Sequence, residues 1–137
     1  MLRSIVAVVA GMVAGSMIIL LVESIGHSVF PVPKGLQPDM NDRAAMIKFM
    51  EAVPLGAKLA VLLAWALGAF ASGMVAAAIS GRRHSARVAG IIMLVAVLLN
   101  LMTIPHPPWM MAIGVLLPVP AALGGAKLLQ KLQAVRA

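Results

Sequence analysis

Residues 5–22, which read IVAVVAGMVAGSMIILLV, decide the fold of this chain because they form an apolar run without a charge. A helix needs about 20 predominantly apolar residues to cross the hydrocarbon core of a bilayer. Arg3 precedes the run, and Pro31 and Pro33 end the helix because proline cannot continue one. The run is also longer than the core of a secretory signal, which has about 7 to 15 residues. We therefore expect a retained first transmembrane helix over about residues 4–30.

The composition places the chain of 137 residues in the membrane class, since 62% of its residues are hydrophobic and 11% are charged. Soluble domains carry about 25% charged residues. The formal net charge of +7 would indicate nucleic-acid binding in a soluble protein, but here the basic residues cluster at the ends of apolar runs. We expect the lipid bilayer, and no nucleic acid, as a partner. The absence of cysteine excludes disulfides and thiolate chemistry.

Three further apolar runs predict a bundle of membrane helices. They cover about residues 55–80, 86–104 and 109–129, and a basic turn and a proline-rich turn separate them. The predicted fold is an all-α membrane protein, a four-transmembrane-helix bundle that forms a single integral membrane domain over residues 1–137.

The connection over residues 31–54 is polar, and we expect a short amphipathic helix in it at about residues 42–53. Asp39, Asn41 and Asp42 offer N-caps for this helix. Four apolar side chains then follow at the i, i+3, i+4 and i+7 spacing of one helix face: Met46, Phe49, Met50 and Val53. Such a helix lies in the membrane interface or covers the end of the bundle.

Small residues recur at every fourth position in the first two spans. They are Ala7, Gly11 and Gly15 in the first span, and Ala60, Ala64, Gly68, Ser72 and Ala76 in the second. Small side chains let two membrane helices approach closely. We expect these two faces to pack either against each other or across the interface of a homo-oligomer.

The distribution of lysine and arginine predicts the orientation of the bundle. One side holds basic residues without any acid: Arg3, Arg82, Arg83, Arg87, Lys127, Lys131 and Arg136. The other side mixes both signs: Lys34, Arg43, Lys48 and Lys58 with Asp39, Asp42 and Glu51. The positive-inside rule then places both termini in the cytoplasm and the 31–54 connection outside.

Glu23 is the one acidic residue within the predicted spans. A carboxylate in a lipid-spanning helix costs roughly 2.5 to 3.5 kcal/mol on insertion scales, so it must face a partner, a cavity or the interface. His27 lies one helical turn further on the same face. At about 1.5 Å per residue, Asn100 and His106 reach the same outer level of the bilayer as Glu23. We expect all four side chains to meet if the first and third spans are neighbours.

This set of side chains permits three interpretations. Glu23, His27 and His106 offer one carboxylate and two imidazoles, a donor set suited to a divalent metal such as zinc or iron. The Glu23–His27 pair also suits a proton or ion site whose charge changes as a cavity opens and closes. The third interpretation is structural, with Glu23 as an anchor that is hydrogen-bonded by Asn100 or by a serine of its own helix.

Pro118 and Pro120 interrupt the middle of the fourth predicted span. Each proline removes an intrahelical hydrogen bond. Broken helices line the binding sites of transporters, whereas in many other membrane proteins a proline kink only shapes the packing. We expect a kink here and consider a hinge at these two residues as the functional alternative.

Three functions are compatible with these residues. The first is a transporter or channel-like protein for a small solute or ion, with a protonatable site in the outer half of the bilayer. The second is an intramembrane enzyme that acts on a lipid or apolar substrate by metal or acid-base chemistry. The third is a structural accessory subunit of a membrane complex. The sequence contains no phosphate-binding loop, Ser-His-Asp order or HExxH motif that would favour a particular enzyme.

Overall fold

The computed structural model describes residues 1–136 except residues 33, 36–38 and 40, and the side chain of Arg136 is also outside the described part. The prediction that Pro33 helps to end the first helix therefore lies outside the described residues. The described part contains helices and no strand: α1 (Leu2–Val29), α2 (Arg43–Ala52), α3 (Leu55–Ser80), α4 (Arg83–Thr103), α5 (Pro108–Leu116) and α6 (Pro118–Arg136).

Four helical segments are long and apolar enough to cross a membrane, as the sequence predicted. They are α1, α3, α4 and the combined segment Pro108–Val135, which contains α5 and most of α6. Large apolar side chains remain exposed along the outside of these helices, among them Val13, Leu63 and Leu99. A surface of this kind is stable when lipid tails cover it, because helices satisfy their own backbone hydrogen bonds. The chain is therefore an all-helical integral membrane protein.

Helix α3 occupies the centre of the bundle and contacts α1, α4, α5 and α6. Helix α1 packs mainly against α3 and touches α4 over a much smaller area, and α4 and α6 also pack against each other. Helix α2 stands apart, because no Cα atom of α2 lies within 8 Å of a Cα atom of another helix in the described part of the chain.

The small-residue faces of α1 and α3 pack against each other within one chain. A Cβ atom added to Gly11 would lie 2.5 Å from the carbonyl oxygen of Ser72, and one added to Gly15 would lie 2.6 Å from that of Gly68. Only glycine permits such backbone approach, which is the expected use of small residues in membranes. The first of the two predicted arrangements is thus present. A homo-oligomer stays a prediction and would have to use other surfaces.

Helices α1 and α3 run antiparallel, and two contacts mark their ends. Arg3 at the start of α1 donates a hydrogen bond from Nε to the carbonyl oxygen of Ile79, 2.6 Å away. At the other end, the ring of Phe30 lies against the backbone of Gly56. The turn from α3 to α4 is formed by Gly81, whose φ of 69° lies in the left-handed region that favours glycine.

The fourth span has one irregular residue, Leu117, at the predicted proline positions. Leu117 keeps right-handed helical angles, and its N–H donates to the carbonyl oxygen of Ile113 at 3.0 Å, so the helical path continues through it. Helix α5 ends at Leu116 and α6 begins at Pro118, which is buried, whereas Pro120 is exposed. Helix α6 then continues to Arg136, beyond the end near residue 129 that the sequence suggested. No proline follows Pro120, and both Gly124 and Gly125 are accommodated within the helix because α6 packs on α3 there.

Within the 31–54 connection, α2 begins after Asp42. The Asp42 carboxylate accepts hydrogen bonds from the backbone N–H groups of Ala44 at 2.9 Å and Ala45 at 3.2 Å. This is an N-cap, which satisfies two of the N–H groups that a helix start leaves free. Met46 is the buried residue of α2, and Lys48 and Glu51 are exposed. The position of α2 in a membrane interface stays a prediction.

Candidate functional site

A cavity of about 300 Å³, which we call the main cavity, lies at the end of the bundle away from the Arg3–Ile79 hydrogen bond. Helices α1, α3 and α4 and the turn before α5 supply its polar lining: Glu23, His27, Lys58, Asn100 and His106. Much of the remaining lining is apolar and includes Met46, Phe49 and Met50 of α2. The structure thus brings the four predicted side chains to one cavity.

A second cavity of about 210 Å³, the inner cavity, adjoins the main cavity. Glu23, Trp65 and Asn100 line both of them. The inner cavity lies between α1 and α4 and reaches Pro118 at the start of α6. Glu23 is only partly exposed. The carboxylate of α1 and the amide of α4 therefore lie at the boundary of two cavities.

A third cavity of about 320 Å³, the outer cavity, adjoins the main cavity on the side of α2 and the proline-rich turn. Its lining includes Glu51 of α2 and residues 105–108. Lys58 and His106 line both the outer and the main cavity.

His106 is held by two neighbours. Its Nδ1 lies 2.7 Å from the carbonyl oxygen of Ile104, and its ring centroid lies 5.9 Å from that of Trp65. A carbonyl oxygen only accepts, so Nδ1 carries the proton and Nε2 of the neutral ring remains an acceptor. Burial lowers the pKa of His106 below its ordinary value, and the hydrogen bond to Ile104 opposes that shift. We therefore expect a neutral imidazole at physiological pH.

The anchor interpretation offered Ser24 and Ser28 to Glu23, and the second of these hydroxyls is used elsewhere. The Ser28 hydroxyl donates to the carbonyl oxygen of Ser24 at 2.9 Å, within the same helix. Thr103 does the same with Leu99 in α4, at 2.8 Å. Asn100 remains as the polar side chain that shares both cavities with Glu23.

The predicted metal site of Glu23, His27 and His106 is not assembled. Within the described residues no group of three or more histidine, aspartate or glutamate side chains is placed to hold one metal ion. The prediction put these residues at one level of the bilayer, but a shared level does not set the lateral distance between helices. The structure therefore does not show these three side chains assembled around one point, and the zinc or iron interpretation stays a prediction.

Sequence reasoning missed Lys58 and Trp65 as lining residues. Lys58 was interpreted only as an orientation charge, and no role was predicted for Trp65. Trp65 is 6% exposed and belongs to a core cluster with Leu62, Val97, Leu101 and Met110. The sequence did contain a pattern that groups these residues: Lys58, Val61 and Trp65 are spaced i, i+3 and i+7 and therefore lie on one face of α3.

No protein-family model, curated protein or solved structure matches this chain. The chemistry of the cavities is therefore the basis for assigning a function. A carboxylate, two imidazoles, an ammonium group and an amide converge on a largely apolar space. Such a combination of apolar walls and a few convergent polar groups is typical of small-molecule sites. It can bind a small polar or amphiphilic solute, and it can exchange protons with one.

Proposed function

We propose that this protein is a transporter or channel-like protein that moves a small solute or ion, with Glu23 as its protonatable or ion-binding group. The observation that carries the proposal is that Glu23 and Asn100 line both the main and the inner cavity. A polar pair between two cavities can contact a solute on both sides of a constriction. Ionisable residues inside a membrane are expensive and mark ion and substrate pathways.

The irregular residue in the fourth span supports the same proposal. Pro118 follows it at the start of α6 and lines the same inner cavity as Glu23. In transporters, discontinuous helices lie at the binding site, where the interrupted backbone can move and offer carbonyl groups. We assign the mobile part to the α5–α6 junction, with Pro118 as the hinge residue on the cavity and Pro120 on the exposed side. His27 and Asn100 tune the charge of Glu23 in this scheme.

The orientation belongs to the proposal as well. Both termini would lie in the cytoplasm, because Arg3, Arg82, Arg83 and Arg87 lie at the end of the bundle away from the main cavity. Helix α2 would then lie outside, in the membrane interface above that cavity. The chain lacks cysteine, so single-cysteine variants at Glu51 and at His84 report the side of the membrane directly. A membrane-impermeant maleimide added to intact cells should label the first variant and not the second.

A second candidate function is acid-base catalysis on an amphiphilic substrate. The observation that favours it is the neutral His106 ring, whose Nε2 is an acceptor at a cavity with apolar walls and the Lys58 ammonium group. A general base needs such an acceptor within reach of the substrate. Chemical turnover of membrane lipids by the purified protein, lost in His106→Asn, would favour this candidate over transport.

The decisive experiment measures current from proteoliposomes on a solid-supported membrane. Pulses of protons, alkali cations, amines, amino acids and organic acids are applied to wild type, Glu23→Gln and Asp39→Asn. The last variant is a matched control, because it makes the same carboxylate-to-amide change at an exposed residue that lines none of the three cavities. We expect a current for at least one class of solute that Glu23→Gln abolishes and Asp39→Asn preserves. The proposal fails if no class gives a current that depends on Glu23.

A further inference from the structure

The inner cavity carries a single charge. Glu23 is the one ionisable residue in its lining, and Asn100 and Trp65 are the other side chains with polar atoms. The rest of the wall is apolar and includes Ile19, Met93 and Val97. We propose that the inner cavity binds a monovalent organic cation with an apolar body, such as an amphiphilic amine or a quaternary ammonium compound. This inference rests on the proposed function and names its substrate class.

The charge of the ligand follows from Glu23 and Trp65. A carboxylate among apolar walls is stabilised by a cation that replaces the lost water. An aromatic ring in the same wall adds to this preference, since indole is the best of the aromatic side chains for cations. Thioether and aliphatic groups such as Met93 and Val97 then contact the apolar part of the ligand.

The number of oxygen donors makes a divalent metal ion a poor ligand of this cavity. Hard cations such as Ca²⁺ require about six to eight oxygen ligands, and Mg²⁺ keeps most of its water. The side chains of the inner cavity offer one carboxylate and one amide oxygen group. A quaternary ammonium ion is weakly hydrated and needs no such coordination shell. The cavity therefore suits an organic cation better than a metal ion.

The other charged and titratable groups near Glu23 line the main cavity, not the inner one. They are His27 on α1, Lys58 on α3 and His106 before α5. The packed start of α6 contributes Pro118, which has no charge. A cation that entered through the main cavity would have to pass the Lys58 ammonium group. Lys58 therefore makes that route unfavourable for the proposed ligand.

The contact between α1 and α4 offers a different route. These helices touch over a much smaller area than α1 and α3 do. Ala96 and Asn100 of α4 line the inner cavity and yet have exposed side chains. The cavity thus opens sideways between α1 and α4, toward the space that lipid tails occupy. A ligand that enters there partitions into the bilayer first, which is why we assign it an apolar body.

The test is equilibrium binding to protein in lipid nanodiscs, with benzyltrimethylammonium as the probe. Trp109→Phe removes the exposed one of the two tryptophans, so that fluorescence reports Trp65 alone. Neopentylbenzene is the uncharged control, because it replaces the quaternary nitrogen by carbon. We expect saturable binding of the cation, weaker binding of the uncharged compound, and a loss of at least about tenfold in affinity in Glu23→Gln. Asp39→Asn makes the same carboxylate-to-amide change at an exposed residue outside the three cavities and should bind as wild type does.

A second variant keeps the test decisive if Glu23→Gln does not fold. Ala96→Phe fills the opening between α1 and α4 from an exposed position and leaves Glu23 in place. It should also weaken cation binding. Equal affinity for the uncharged compound, or wild-type affinity in Ala96→Phe or in a folded Glu23→Gln, overturns the inference. Cation binding without any flux would refute transport alone, whereas a Glu23-dependent flux without cation binding would refute only this substrate class.

Discussion

The Trp65 indole and the His106 imidazole lie with ring centroids 5.9 Å apart, at the boundary between the core of the bundle and the main cavity. The two residues belong to α3 and to the turn before α5. Their contact places a titratable ring beside a buried apolar one. The protonation of His106 is therefore coupled to the packing of the bundle at this end.

The first prediction concerns that coupling. His106 should titrate below its ordinary pKa of 6.5, because burial disfavours the imidazolium more than the Ile104 hydrogen bond favours it. The unfolded chain then binds more protons than the native protein as the pH falls. The contribution of His106 to the free energy of unfolding should thus be fully present above about pH 6.5. It should decrease as the pH falls from there toward the lower native pKa. NMR titration of the His106 ring signals, assigned with His106→Asn, measures the pKa.

Thermal unfolding at a series of pH values supplies the companion measurement. His106→Asn removes the titrating ring, so the loss of stability on acidification should be smaller in that variant than in wild type. A native pKa of His106 at or above 6.5, or identical pH profiles for both proteins, would contradict the prediction.

The second prediction compares two adjacent glycines of α6. A Cβ atom added to Gly125 would overlap the carbonyl oxygen of Phe70 and lie 3.1 Å from the backbone nitrogen of Met74. One added to Gly124 would lie 3.8 Å from the Phe70 ring, an ordinary contact. Gly125→Ala should therefore lower the free energy of unfolding by about 1 to 3 kcal/mol, because α6 must move away from α3.

Gly124→Ala is the matched control and should leave stability unchanged or raise it by about 0.4 to 1 kcal/mol. Unfolding in mixed detergent micelles, followed by circular dichroism, compares the two variants under one condition. If both variants unfold at the same denaturant concentration as wild type, the close packing of α3 against α6 is not as described.

The third prediction concerns the start of α2. Asp42→Ala removes the side chain that accepts from Ala44 and Ala45, and this should destabilise the helix by about 0.5 to 2 kcal/mol. Helix α2 has no close backbone contact with another helix in the described part, so it is held by buried side chains such as Met46 and by local hydrogen bonds. Hydrogen exchange should show faster exchange at the amides of residues 44–48. Asp42→Asn retains a capping oxygen and should exchange as wild type does; faster exchange in that variant would argue against capping.

The sequence predicted the membrane helices because the cost of burying charge in lipid leaves a strong signal. The spacing of Gly11, Gly15 and Gly68 also predicted close helix packing, but it left open whether α1 meets α3 of the same chain or a helix of a second copy. Glu23 and Asn100 could be assigned to one level from the rise of a helix alone. The two side chains line the same two cavities because α1 and α4 are neighbours. The sequence could not establish that these helices are neighbours, and the prediction assumed it.

What the sequence did not predict was the lateral arrangement. The distance between side chains on different helices depends on rotation and crossing angle, and neither follows from periodicity with sufficient accuracy. For this reason the trio of Glu23, His27 and His106 was proposed as a metal site that the structure does not assemble. For the same reason the sequence did not predict that Lys58 of α3 lines the main cavity. The depth of a residue in the bilayer follows from its position along its helix, whereas its neighbours on other helices depend on how the helices pack.

The central place of α3 has a consequence for biosynthesis. Helices α1 and α3 leave the ribosome before α4, α5 and α6 do, and the contacts of Gly11, Gly26 and Gly68 lie within this pair of helices. This hairpin can close while the remainder of the chain is still being translated. Helices α4, α5 and α6 would then join the preformed hairpin on the free faces of α3, in the order in which they enter the bilayer.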